Sequence, residues 1–211
     1  KYYWPNNSLL IVAGDVDQND VFTRVESIFG DWKPSGFDPF EKYPVPEFKP
    51  IKEDIYFVTT SPNAQAPVIY IGWHGPDTRN DVKATYVADV FSTIVNLESS
   101  KFSKELVDAG LALQANVNYS TDIFTGPITI RIVPNPEKIK ECLAKLEEHI
   151  NMWDSDNYYT DEQMEAAKNQ LAIREKYNME QTSGYTHSLG YNWALKDLDY
   201  GFNYIENNNK V

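Results

Sequence analysis

Residues 96–133 decide the fold. They read Asn-Leu-Glu-Ser-Ser-Lys-Phe-Ser-Lys-Glu-Leu-Val-Asp-Ala-Gly, then Leu-Ala-Leu-Gln-Ala-Asn-Val-Asn-Tyr, a six-residue turn, and Gly-Pro-Ile-Thr-Ile-Arg-Ile-Val. Ser99 or Ser100 suits a helix N-cap, because a hydroxyl there accepts from an unpaired backbone N–H. Phe102 and Leu106 fall one turn apart on one face, and Gly110 supplies the left-handed residue that often ends a helix. After Gly110 the period changes to two. Leu111, Leu113, Ala115, Val117 and Tyr119 share one face, and Ala112, Gln114, Asn116 and Asn118 the other. Ile128, Ile130 and Ile132 then alternate with Thr129, Arg131 and Val133. One greasy and one polar face describe an antiparallel pair solvated on one side. This spacing predicts Leu113, Val117, Ile130 and Ile132 in the core.

Upstream, Ser8–Ala13 is a short apolar run expected to be a strand buried on both faces. Asp17 is placed to cap a helix with Val21, Val25 and Ile28 inward and Phe22 and Phe29 beside them, ending at Gly30. Residues 34–50 hold five of the twelve prolines and carry no period, as an extended surface crossing would. Asp54–Thr60 and Pro67–Trp73 read as two β-rich runs. From Asp81 a helix is expected with Tyr86, Val90, Ile94 and Leu97 along one stripe and Val87 and Phe91 alongside. Downstream, Asn135 and Pro136 mark a helix start, followed by a stripe of Ile139, Leu143, Leu146 and Ile150. Thr160-Asp-Glu-Gln163 is a capping box opening a long charged helix, and another helix begins near Ser183. The order β-α-β-β-α-α-β-β-α-α-α predicts an α+β two-layer sandwich: an antiparallel or mixed sheet of five or six strands with helices on one face.

At 211 residues the chain can bury a real core. A single cysteine, Cys142, excludes an internal disulfide and a cysteine-rich metal site. No stretch approaches the roughly 20 apolar residues of a membrane span. The formal charge of −12 argues against nucleic acid and would suit cationic peptides, although plain solubility explains it as well. The opening at Lys1 and the polar Asn-Asn-Asn-Lys-Val end read as cuts within a larger protein.

No self-contained catalytic constellation emerges. His74, His149 and His187 lie far apart, and none has a second histidine at ligand spacing. Lys145-Leu-Glu-Glu148-His149 approaches the inverted zinc motif His-x-x-Glu-His but begins with a cation, which cannot be a ligand. His149 is therefore read as part of a solvated helix, and no metal site is proposed. Cys142, beside the apolar stripe, reads as a small buried hydrophobe. The carboxylate pairs Asp15/Asp17, Glu147/Glu148 and Asp197/Asp199 read as a turn and cap, a helix surface and a polar turn. The expectation is no catalytic and no metal residue in this chain, with substrate-binding residues unassigned.

A family resemblance enters through Tyr2-Tyr3-Trp4-Pro5-Asn6-Asn7, Leu9–Asp17, Val25 and Phe29-Gly30. It continues through Ser99–Phe102, Leu106-Val107, Gly110–Ala112 and Thr160–Lys168. Their order and spacing resemble the zinc peptidases of the pitrilysin, insulinase and mitochondrial processing peptidase type. The resemblance implies the second, inactive domain of a half-molecule, so that residues 1–211 form a single non-zinc domain whose upstream zinc domain and downstream residues lie elsewhere. The family's other half carries an arginine and a tyrosine that assist catalysis. Val107 and Leu113 stand nearest those places here, and the pair is absent. The implied function is that of a non-catalytic companion in a zinc metalloendopeptidase, completing a peptide-enclosing chamber. The alternative is a scaffold subunit of the same fold without peptidase activity. The implied partners are a peptide or unfolded protein substrate and a sister half or homologous subunit. Zinc is expected in the other domain, and the compartment is left between the bacterial cell envelope, or periplasm, and the cytoplasm.

Overall fold

A computed structural model describes residues 1–211. They divide into two compact units, Lys1–Phe48 with Lys176–Gly201, and Lys49–Glu175 with Phe202–Val211.

The larger unit contains the stretch that decided the fold. Helix α3 (Val82–Val95) is capped by Asp81, whose carboxylate accepts from the Ala84 N–H at 3.0 Å. Ser100 caps the next helix, α4 (Lys101–Ser103), by accepting from the Ser103 N–H at 3.0 Å. Its hydroxyl also donates to the Val95 carbonyl at 2.7 Å, so a buried serine is fully engaged. Ser100→Ala is expected to cost about 1 kcal/mol, read as a lower urea midpoint, because both bonds go. The helix then widens to a π-helical stretch over Lys104–Asp108 and ends at Gly110, with φ at +68°. Strands β1 (Ile69–Gly75), β2 (Ala112–Tyr119) and β3 (Gly126–Pro134) form one antiparallel sheet in the order β1-β3-β2. Gly126 is obligatory, since a Cβ there would strike the Pro76 and Ser120 carbonyls and the Tyr119 ring.

One sheet face is covered. Val117, Ile130 and Ile132 pack with Val95, Phe102, Leu106, Cys142 and Leu146, drawn from α3, α4, the π stretch and α5 (Ile139–Met152). A second cluster joins Val90 and Ile94 of α3 to Ala167 and Leu171 of α6 (Asp161–Glu180). The capping box of α6 forms as expected: the Thr160 N–H donates to Gln163 Oε1 at 3.0 Å and the Gln163 N–H to Thr160 Oγ1 at 3.2 Å. The opposite sheet face exposes Tyr70, Gln114, Asn116 and Asn118. At the outer edge of β2, Asn96 takes the place of a neighbouring strand. Its Nδ2 donates to the Val117 carbonyl at 2.6 Å and its Oδ1 accepts from the Val117 N–H at 3.0 Å. Short α9 (Tyr204–Asn209) completes this unit.

The smaller unit holds α1 (Gln18–Phe29), capped by Asp17 through the Asp20 N–H at 2.9 Å, and short α2 (Pro39–Lys42). It also holds α7 (Thr182–Leu195) and α8 (Leu198–Phe202), the latter ending at the unit boundary. Its aromatic residues gather around Tyr2, which stacks on Phe40 at 5.2 Å and meets Tyr43 edge-on.

The α+β class and the helices on one face stand, with corrections in detail. The sheet has three strands rather than five or six. Ser8–Ala13 and Asp54–Thr60 form no strand. Ile55, Tyr56, Phe57 and Val58 are 81–93% exposed. An apolar run is a strand only where a second edge accepts its backbone bonds, and none does so here. Leu113 is 57% exposed because a bulge between Ala112 and Gln114 shifts the register and turns Ala112 inward instead. On α5 the buried set is Cys142, Leu146 and His149, one residue round from the expected stripe, and Leu143 is exposed. That helix starts at Ile139, because Asn135 and Pro136 spend themselves on a preceding turn. Val87 is exposed on α3, and Phe22, Ile28 and Phe29 on α1.

Candidate functional site

The densest buried polar cluster lies where α5 meets the π stretch and the 153–159 turn. His149 is fully buried, contrary to the solvated-helix expectation. The i, i+4, i+7 spacing of Cys142, Leu146 and His149 sets all three on the covered face. His149 Nδ1 lies 2.9 Å from the Tyr158 hydroxyl, and Trp153 Nε1 donates to the same oxygen at 3.2 Å. Indole can only donate, so Tyr158 accepts from Trp153, and the same oxygen is paired with Nδ1 of His149. Nε2 of the imidazole lies 3.5 Å from the Glu105 carboxylate and has no hydrogen bond of its own. Phe102 closes the cluster edge-on at 5.5 Å from the imidazole. Lys145 bridges Glu148 at 2.5 Å and Glu105 at 3.7 Å, while Lys101 donates to the Asn157 carbonyl.

Burial dominates the electrostatics. It holds the His149 imidazole below its usual range, against the opposing field of Glu105. It pushes the Tyr158 phenol up to about 12. The Cys142 thiol, fully buried and unpaired, is raised for the same reason, which suppresses the thiolate that nucleophilic attack requires.

These residues do not suit a zinc site. His149 commits Nδ1 to Tyr158, His74 lies on β1 and His187 on α7, and both are exposed. No group of three or more His, Cys, Asp or Glu is placed to hold a metal. The carboxylate pairs resolve into structural roles: Asp17 caps α1, Glu148 pairs with Lys145, and Asp197 accepts from the Tyr200 N–H at 2.7 Å. Val107 is half-buried in the π stretch and Leu113 exposed on β2, so neither offers the chemistry of an arginine or a tyrosine. Sequence reasoning missed Glu105, Tyr158 and Asp89. The available signals were a histidine and a cysteine seven residues apart on one helix, and a lone carboxylate among apolar α3 residues.

The larger unit is a two-layer α+β arrangement that holds this closed polar cluster. The chain belongs to the peptidase M16 inactive domain family, whose sequence profile matches residues 1–171. It resembles a protease from Helicobacter pylori at 22% identity and a TM-score of 0.76, covering 100% of this chain and 51% of that one. It also resembles the inactive peptidase domain of a zinc-protease homologue from Bordetella parapertussis, at 13% identity and a TM-score of 0.60 over 70% of this chain and 79% of that one. The periplasmic protease PqqL from Escherichia coli is similar at 13% identity and a TM-score of 0.60, over 94% of this chain and 22% of that one. No curated protein matches. The chain thus spans about half the length of the Helicobacter protein. It fits the non-catalytic companion role of its family, and no helix is long and apolar enough to cross a membrane.

Proposed function

We propose that residues 1–211 act as the companion domain of a zinc metalloendopeptidase, supporting a zinc-bearing domain elsewhere in the parent protein and forming part of a chamber around a peptide. One observation carries this reading. The smaller unit has almost no core of its own: only Pro39, Leu195 and Tyr200 are buried in it. Tyr3, Leu10, Phe22, Ile28 and Phe29 remain exposed. So many large apolar side chains left in water beside so small a core favour a surface that meets a partner. The Helicobacter protein is about twice as long, which is length enough for a second half of comparable size.

The three strands contain no Asp or Glu, and Arg131 is their one lysine or arginine. Any attraction of cationic peptides by the −12 chain therefore comes from helices and loops rather than from the sheet. The cell envelope is the proposed compartment, by analogy with periplasmic PqqL.

The test uses the full parent protein. It is expected to hold one zinc by elemental analysis and to cleave an unstructured peptide. Ile28→Asp in the parent should lower its Tm, while the same change in the isolated 211-residue chain should barely move the midpoint. A zinc-free, inactive parent would establish the scaffold alternative. Equal effects of Ile28→Asp in both contexts would show that this surface faces no partner.

A further inference from the structure

The uncovered face of the three-stranded sheet carries one charge. Directly opposed residues share a face, so Tyr70, Arg131 and Asn116 form one row across β1, β3 and β2, and Gly72, Thr129 and Asn118 form the next. Arg131 lies half-buried in the middle of its row, between exposed Tyr70 and exposed Asn116. Its Nη1 donates to Gln114 Oε1 at 2.8 Å, which fixes one side of the guanidinium. Arg131 takes part in none of the chain's salt bridges, and no strand residue is Asp or Glu. The other N–H groups of its planar fork are unused by the protein.

An arginine in this state suits a carboxylate. The fork meets a carboxylate with two parallel hydrogen bonds, and partial burial limits the solvent screening that makes exposed ion pairs weak. The neighbours define the rest of the ligand. Gln114, Asn116 and Asn118 present carboxamides and Thr129 a hydroxyl, which bond to peptide N–H and C=O groups whatever the side chains. The rows recur every two residues, about 6.8 Å, which is also the repeat of an extended peptide laid along the strands. Gly72 leaves a gap in the second row, where a Cβ would meet only Thr129 Cγ2 at 3.7 Å and the Ile128 carbonyl at 3.8 Å. No second charge on this face selects a side chain, and the net charge of −12 disfavours a ligand with several acids. The carboxylate that a peptide carries whatever its sequence is its C-terminus.

We propose that the Arg131 row is a peptide subsite that holds the C-terminal carboxylate of an extended peptide, with Asn116 and Asn118 bonding to its last peptide units. Only the source of the peptide rests on the companion-domain reading. Hydrolysis of a peptide bond leaves a new C-terminal carboxylate on one product, so a peptidase parent generates such ligands.

The test uses the nitrogen-15-labelled 211-residue chain and a short, neutral, unstructured peptide in three forms: free C-terminus, amidated C-terminus, and amidated C-terminus with one internal Glu. The free acid should shift the Arg131 Nε–H signal and the side-chain amide signals of Asn116 and Asn118 saturably, and bind about tenfold tighter than the amide. The internal Glu should restore little of that difference. Arg131→Gln should bring the free acid down to the affinity of the amide, and Arg131→Lys, a cation without the fork, should recover only part of the loss. Gly72→Leu leaves Arg131 in place, fills the gap and should weaken binding of the free acid. Equal affinities for free acid and amide overturn the proposal. So does an Arg131→Gln chain that keeps the preference, or a Glu-containing amide that matches the free acid. The comparison of peptides on the wild-type chain decides however the variants fold. Zinc and cleavage do not enter it, so failure here leaves the companion-domain reading standing, and a zinc-free parent leaves the subsite standing.

Discussion

Ile130→Ala is expected to lower the stability of the larger unit by about 2–5 kcal/mol, while Leu113→Ala changes it by no more than about 0.5 kcal/mol. Ile130 is fully buried, opposite Ile71 on β1 and Val117 on β2, so truncation leaves a cavity walled by two strands and the helices above them. Leu113 sits in the bulge between Ala112 and Gln114 and points to water. The two residues look alike in a period-two reading, which makes the comparison a test of register rather than of hydrophobicity. Urea unfolding followed by tryptophan fluorescence measures both. A large loss for Leu113→Ala, or none for Ile130→Ala, would mean that the strand faces are reversed.

The sequence revealed the parts of the fold that local chemistry determines. Asp17, Asp81, Ser100 and Thr160 each cap a helix through the next few residues of the same segment, so a short window suffices to find them. β2 and β3 follow from alternation, and β1 from a β-rich run bounded by turn residues. What could not be read locally depends on distant partners. Ser8–Ala13 and Asp54–Thr60 have strand-like composition, but pairing requires an edge that sequence does not locate. The bulge at Ala112/Gln114 is one extra residue in one strand, and no residue type announces it. The error on α5 was chemical. His149 reads as solvated because it is polar, yet it lies fully inside the buried face, whereas Cys142 is buried as a small hydrophobe should be. A buried imidazole is acceptable only with a partner, and that partner, Tyr158, comes from a turn beyond the end of the helix.

Tyr158→Phe should cost about 1–3 kcal/mol, although it removes a single oxygen. That oxygen serves two buried groups at once, accepting from Trp153 Nε1 and pairing with His149 Nδ1. Phenylalanine fills the space but leaves the imidazole nitrogen and the indole N–H unpaired in the interior. His149→Phe in the same chain removes one of those orphans and replaces it with a ring of similar shape against Phe102. The double variant should therefore lose less than the sum of the two single losses. A double-mutant cycle with exact additivity would show that Tyr158 and His149 merely adjoin. The same histidine sets a pH dependence of known sign. Its imidazole is depressed in the folded chain, mainly by burial, so the unfolded chain takes up the proton first as pH falls below about 6.5. Stability from this group is complete above that pH and declines as pH drops towards the folded value. Asp89 works the other way, losing stability as pH rises from its ordinary 3.8 towards about 6, so the measurement belongs in an Asp89→Asn background. In that background, thermal unfolding should show Tm falling between pH 6.5 and pH 5. Adding His149→Phe should flatten the fall. An unchanged slope would place the acid sensitivity on other groups and leave His149 a passive filler of the core.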